Sequence, residues 1–147
     1  MTLRFDSSLW LNVSVALRNM DMVYGRALAP MNLSLIEWCI MRLLLTADGQ
    51  HPSDLAYLVG RKPTTFTPIL DNLQRKKLIL RRPDPADRRA VRVHLTDEGR
   101  KLRRRVQMSA DDIERSVRRV ATDEEWAAFR RILSQLVEMN DGAAKEG

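Results

Sequence analysis

Apolar positions along this chain recur mostly at spacings of three and four residues, the rhythm of amphipathic helices. Leu9, Val13, Ala16, Leu17, Met20 and Val23 keep that rhythm behind Ser7 or Ser8, either of which can cap a first helix. Pro30 closes the stretch. A second helix is expected from Leu33-Ser34 through Ile36, Trp38, Ile40 and Leu43-Leu44; it is apolar nearly all round, as a central buried helix would be. After a turn at Ala47-Asp48-Gly49-Gln50, Pro52 suits the first position of a short helix carrying Leu55, Ala56, Leu58 and Val59, and Gly60 is placed to end it. Phe66, Ile69, Leu70 and Leu73 then mark one face of a further helix.

The period next shortens to two. Leu78-Ile79-Leu80-Arg81-Arg82 is β-compatible, Pro83-Asp84-Pro85-Ala86-Asp87 is turn chemistry, and Val91 and Val93 alternate with Arg92 and His94 up to Leu95. This reads as a hairpin. Thr96 can cap a long helix holding Leu102, Val106, Ile113, Val117 and Val120. Thr122 with Glu125 forms a capping box for a last helix with Trp126, Phe129, Leu133, Leu136 and Val137 on one stripe. The expected fold class is therefore mainly α with one small β-hairpin.

Charge sharpens the picture by its distribution. Residues 1–60 hold 4 basic and 5 acidic side chains, residues 106–147 hold 6 and 9, and residues 61–105 hold 15 and 5, so a middle of net +10 lies between two slightly acidic ends in a chain of net +6. A basic centre between near-neutral ends is the footprint of a polyanion-binding surface, although a merely solvated basic face would carry the same sum. The longest uncharged run is 11 residues, Ser7 to Leu17, so no membrane span is expected, and the first residues lack a secretory pattern. A cytoplasmic protein is expected. The single cysteine, Cys39, excludes a disulfide framework.

Order within the basic segment decides between the two readings of its charge. Two short helices joined by a tight turn form a helix-turn-helix, and the appended hairpin makes it winged. The second helix of such a pair fits the major groove of double-stranded DNA. With Phe66 and its apolar companions packed inward, Thr64, Thr65, Thr67, Pro68, Asp71, Asn72 and Arg75 are left toward solvent or DNA. Arg61 and Lys62 precede this helix. Arg88 and Arg89 sit at the hairpin tip, where a cation can reach a minor groove or its phosphates.

These residues resemble the MarR (multiple antibiotic resistance regulator) family of bacterial transcription factors. Leu33-Ser34-Leu35-Ile36-Glu37-Trp38 is similar to the family's helix opening, Asp54-Leu55-Ala56 to its acidic-Leu-Ala, and Phe66-Thr67, Leu73, Lys76 and Leu78-Ile79 track its recognition helix and following strand. The most specific piece is Asp87 to Gly99, which is similar to the family's wing signature of Asp-x-Arg, alternating apolar residues and Leu-Thr-x-x-Gly. The resemblance implies a single winged helix-turn-helix unit in three parts: an N-terminal dimerisation helix over 1–30, a DNA-binding lobe over 31–95, and C-terminal dimerisation helices over 96–147. It implies a homodimer on a pseudo-palindromic operator, acting as a repressor and released by a small-molecule effector near the junction of dimer helices and lobe. A helical adaptor that uses the winged domain to contact protein is the alternative.

Three positions depart from the family pattern. Pro68 stands where an arginine often follows the recognition-helix threonine; it is harmless if the helix starts at Thr65 but lies inside it if the start is Pro63. Lys77 replaces the usual glycine after the terminal lysine, where a left-handed cap would cost about 1 kcal/mol. His51 holds a cap position usually given to threonine or serine.

The rest of the chemistry is sparse. Cys39, among Trp38, Ile40 and Met41, reads as a buried, inert thiol, and the family's peroxide sensors carry their cysteine in the first helix, where this chain has none. His51 and His94 lack partners at metal-ligand spacing, no Gly-rich phosphate loop exists, and no serine has a base partner, so neither metal nor cofactor nor enzymatic activity is expected. Arg103-Arg104-Arg105 fits a solvated face or a phosphate contact equally. Trp10, Met20, Tyr24 and Trp38 are candidates to line an effector pocket, with ordinary core and interface packing as the competing reading.

Overall fold

The computed structural model describes residues 8–87 and 89–141. Among them run α1 (Leu9–Leu28), a 3-10 turn (Ala29–Met31), α2 (Leu35–Thr46), α3 (Pro52–Leu58), α4 (Pro63–Arg75), β1 (Ile79–Pro83), β2 (Val91–Leu95), α5 (Asp97–Lys101), α6 (Arg103–Arg118) and α7 (Asp123–Asp141). Two compact units divide the chain, Met1–Ala110 and Asp111–Gly147.

Capping residues set most of the helix starts. Ser8 Oγ accepts from the amide of Leu11. Ser34 and Glu37 close a reciprocal capping box at the head of α2. Thr96 Oγ1 accepts from the amide of Gly99. The helices α3 and α4 begin instead on Pro52 and Pro63, at positions whose amides would be unpaired in any case.

The core of the first unit gathers where α2, α3, α4 and the hairpin meet: Ile40, Met41, Leu44, Leu55, Phe66, Leu70, Leu73, Ile79 and Val93 are all fully buried. The hairpin is antiparallel, with Ile79 opposite Leu95 and Arg81 opposite Val93. A one-residue third strand joins it, because the amide of Val93 donates to the carbonyl of Gln50 at 2.9 Å. The wing is thereby stitched to the turn between α2 and α3.

One open alternative is resolved and three expectations need correction. The recognition-type helix α4 starts at Pro63, so Pro68 lies inside it and cannot give the amide bond that Thr64 would accept. The strand begins at Ile79 rather than Leu78. Lys77 takes the left-handed conformation (φ +60°), and the amides of Lys77 and Leu78 bond back to the carbonyls of Gln74 and Leu73, a Schellman turn that holds Leu78 out of the ladder. The long helix after Thr96 is broken at Leu102, whose amide bonds three residues back to Gly99. It also stops at Arg118, so Val120 falls in an exposed turn; the freed carbonyl of Arg118 is taken by Trp126 Nε1.

In the second unit, Trp126 packs edge-on against Phe129 and the Thr122–Glu125 capping box closes in both directions. Phe129, Leu133, Leu136 and Val137 form an exposed apolar stripe along α7. At the other end of the chain, α1 exposes Leu9, Trp10, Val13 and Leu17. Among the described residues no single helix is long and apolar enough to cross a membrane.

Candidate nucleic-acid interface

On α4, burial of Phe66, Leu70 and Leu73 fixes which side faces out. Helical spacing then sets Thr64, Pro68, Asp71 and Arg75 on the line opposite the core, and all four are exposed. Thr65 and Thr67 are exposed on the two flanks, and each hydroxyl donates to a backbone carbonyl of the first turn, Lys62 and Pro63 respectively. Their oxygens keep lone pairs for an incoming donor.

Asn72 and Lys76 behave differently from the rest of the predicted surface. Asn72 Nδ2 donates to Glu37 Oε1 at 2.5 Å, and Lys76 Nζ donates to Glu37 Oε2 at 2.8 Å and to the carbonyl of Asn32 at 2.6 Å. Glu37 is only 2% exposed. Burial opposes its ionisation, but the bonds from Lys76, Ser34 and Asn72 outweigh that cost and hold the carboxyl below the usual carboxylate range. Arg75 in turn donates to Asn72 Oδ1 at 3.0 Å. Ser34 and Glu37 have the Ser-x-x-Glu spacing of a capping box, which carries no signal of this second role of Glu37.

The wing is fastened by carboxylates. Asp84, 3% exposed, accepts from Arg92 Nε at 2.6 Å and from the amide of Ala86 at 2.7 Å, and His51 Nε2 lies 3.3 Å away. Those backbone and guanidinium bonds keep Asp84 below its ordinary range. Arg92 also donates to the carbonyl of Gly49, and His51 Nδ1 lies 3.2 Å from the carbonyl of Val91. His51 thus begins α3 without a side-chain cap and ties it to the wing instead. Asp48 accepts from the amide of Leu95 and from Arg100, while Asp71 accepts from Arg81 at 2.7 Å and links α4 to the wing's first strand.

These pairings sort the basic residues. Arg81 and Arg92 are taken by Asp71 and Asp84, whereas among the described residues Arg61, Lys62, Arg75, Arg82 and Arg89 have no carboxylate within ion-pair distance and are exposed. Arg88 lies outside the described residues. In the Arg103–Arg105 run, Arg103 and Arg105 reach the carbonyls of Leu45 and Pro30.

Of the effector candidates, Tyr24 and Trp38 meet, while Trp10 stands apart. Trp38 is buried and donates to Ser109 Oγ, and Tyr24 meets its ring edge-on at 5.9 Å. Trp10 is 78% exposed and lies 14 residues before Tyr24 on α1, roughly 21 Å along the axis. An apolar groove of about 660 Å³ lies elsewhere, between α2 and α3, lined by Ile36, Cys39, Arg42, Leu43, Leu58 and Val59. Arg42 at its side stacks over the Trp38 ring at 4.8 Å. Burial pushes the Cys39 thiol up, against a smaller opposing pull from Arg42.

Comparison with known proteins matches this lobe to one family. The MarR family model covers residues 33–91, from the head of α2 to the start of β2. An uncharacterised HTH-type transcriptional regulator of Bacillus subtilis, YsmB, is 38% identical over 73 residues, 50% of each chain. The homoprotocatechuate degradative operon repressor of Escherichia coli is 26% identical over 115 residues, 78% of each. The chain is thus similar to MarR-type regulators over its central lobe. Its match spans about half the length of the first of these relatives. A likeness of fold extends over nearly the whole chain: the S. aureus MepR–DNA complex superposes with a TM-score of 0.83 at 23% identity, covering 91% of this chain and 99% of that one. In this chain the segment matched by the MarR model holds the outward line of α4, the Glu37 cluster and the wing's paired carboxylates.

Proposed function

We propose that this protein is a sequence-specific DNA-binding transcriptional regulator that represses as a homodimer on a pseudo-palindromic operator. The observation that carries the reading is the surface shared by α4 and the wing. Thr64, Thr65, Thr67 and Arg75 stand outward on one helix, and among the described residues Arg61, Lys62, Arg82 and Arg89 are exposed cations without carboxylate partners. Hydroxyls and a guanidinium on a groove-sized helix can read base edges, and the surrounding cations neutralise phosphates. Arg88, beside Arg89 in the sequence, belongs to the same set of anchors, and Asn72 contributes through its hold on Arg75.

Dimerisation is supported by the apolar faces left uncovered at both chain ends, on α1 and on α7. A domain of this size gains little from exposing such faces unless a second copy covers them. A two-fold dimer places its half-sites about one helical turn apart. Release by a small amphipathic effector is supported by the groove beside Cys39 and Arg42.

The test is binding of the purified protein to the DNA upstream of its own coding sequence, against a scrambled duplex, over a salt series. Selective binding that weakens with salt and that Arg89→Ala reduces is the expected result. Equal weak binding to both duplexes would leave only a basic surface and favour the protein-contacting adaptor.

A further inference from the structure

Glu37 is a buried carboxylate outside the DNA-facing surface, yet two of its three donors come from α4 and its C-cap residue. Its oxygens can only accept. The amide of Asn72 must therefore turn its Nδ2 toward Oε1, which leaves Asn72 Oδ1 facing away as an acceptor, and that acceptor holds Arg75 Nη1 at 3.0 Å. Lys76, one turn along the same flank from Asn72, fixes the height of α4 against α2 by bonding both Glu37 Oε2 and the carbonyl of Asn32. The bond from the Ser34 amide anchors the carboxylate itself, so its position is set by the first turn of α2 rather than by α4.

We propose that Glu37 is a positioning residue for DNA recognition: through the polarity it imposes on Asn72, it aims Arg75 outward from the recognition helix. The inference rests on the DNA-binding reading above. A neutral glutamine at 37 keeps its one oxygen for Lys76 and the Ser34 amide and turns an NH2 donor toward Asn72, so the Asn72 amide loses the reason to keep its oxygen toward Arg75. Arg75 is then released into its many solvent rotamers and pays the ordering cost on every encounter with DNA.

The experiment is a double-mutant cycle on the full-length protein, read by fluorescence anisotropy with a duplex that the wild type selects from random sequence. Glu37→Gln is expected to weaken binding about tenfold in the wild-type background and by less than about twofold in Arg75→Ala. Asn72→Ala is expected to behave in the same way, and it leaves the Ser34 and Lys76 bonds of Glu37 in place should Glu37→Gln fail to fold. Loss by an equal factor in both backgrounds, or no loss from either variant, overturns the relay, since a purely structural role for Glu37 would not depend on Arg75. If the wild type selects no duplex at all, the DNA-binding reading falls and the relay with it.

Discussion

Asp84 and Arg92 meet at 2.6 Å in the wing, with the carboxylate almost wholly shielded from solvent. Around this pair, His51 from the head of α3 and the carbonyl of Gly49 from the preceding turn are drawn into one cluster. The tip that carries Arg89 thus leaves the protein from a base held to the helix-turn-helix by side chains as well as by the Gln50–Val93 bond. Replacing Asp84 with alanine strands a guanidinium and loosens that base. Operator binding is expected to weaken about tenfold, and protease is expected to cut the 84–90 turn sooner. Unchanged cleavage and affinity would mean that the backbone bridge alone holds the wing.

The two helical glycines Gly25 and Gly99 are expected to respond oppositely to alanine. A Cβ at Gly99 would fall on the carbonyl oxygen of Leu78, a backbone atom that cannot move aside, whereas one at Gly25 meets nothing within 4 Å. Gly99→Ala should cost about 2–3 kcal/mol and lower Tm by roughly 5–10 °C. Gly25→Ala, inside α1, should gain about 0.5–1 kcal/mol. Thermal melts of the two variants check both signs.

Lys77 holds a left-handed backbone (φ +60°) in a turn that glycine would enter without strain. Lys77→Gly is expected to stabilise the fold by about 1 kcal/mol. A Tm equal to or below that of the wild type would show that the lysine side chain stabilises the turn by as much as its backbone costs.

Acid should act through Glu37. Its folded carboxyl titrates below the ordinary value of 4.5, so the stability it contributes is complete above that value and is lost as pH falls through the lower, folded one. The Tm gap between wild type and Glu37→Gln is therefore expected to be steady above roughly pH 5 and to shrink below it. A gap that stays constant down to about pH 3 would contradict the charge-based account of that cluster.

Much of this was legible in the sequence because it is local. Ser8, Thr96 and Thr122 cap where the sequence reading expects a cap, and the strand over Val91–Leu95 follows from simple alternation. What escaped depends on contacts far apart in the chain. The commitment of Asn72 to Glu37 joins residues 35 positions apart, and the wing base joins Asp84 to His51 and Arg92 to Gly49. The break at Leu102 escaped for the same reason, since Gly99 is pinned against Leu78 while the apolar pattern runs on unbroken. The groove beside Cys39 could not be read either, because α2 seemed apolar all round and only its packing leaves Ile36, Cys39 and Leu43 partly open.

The central claim, sequence-specific reading by a two-fold dimer, is tested most directly by selecting bound duplexes from a random DNA pool with the wild-type protein. The account predicts an enriched pseudo-palindrome whose half-sites lie about one helical turn apart, and loss of that enrichment with Arg75→Ala or Arg89→Ala. Recovery of unenriched sequence, with binding that tracks salt alone, would contradict it.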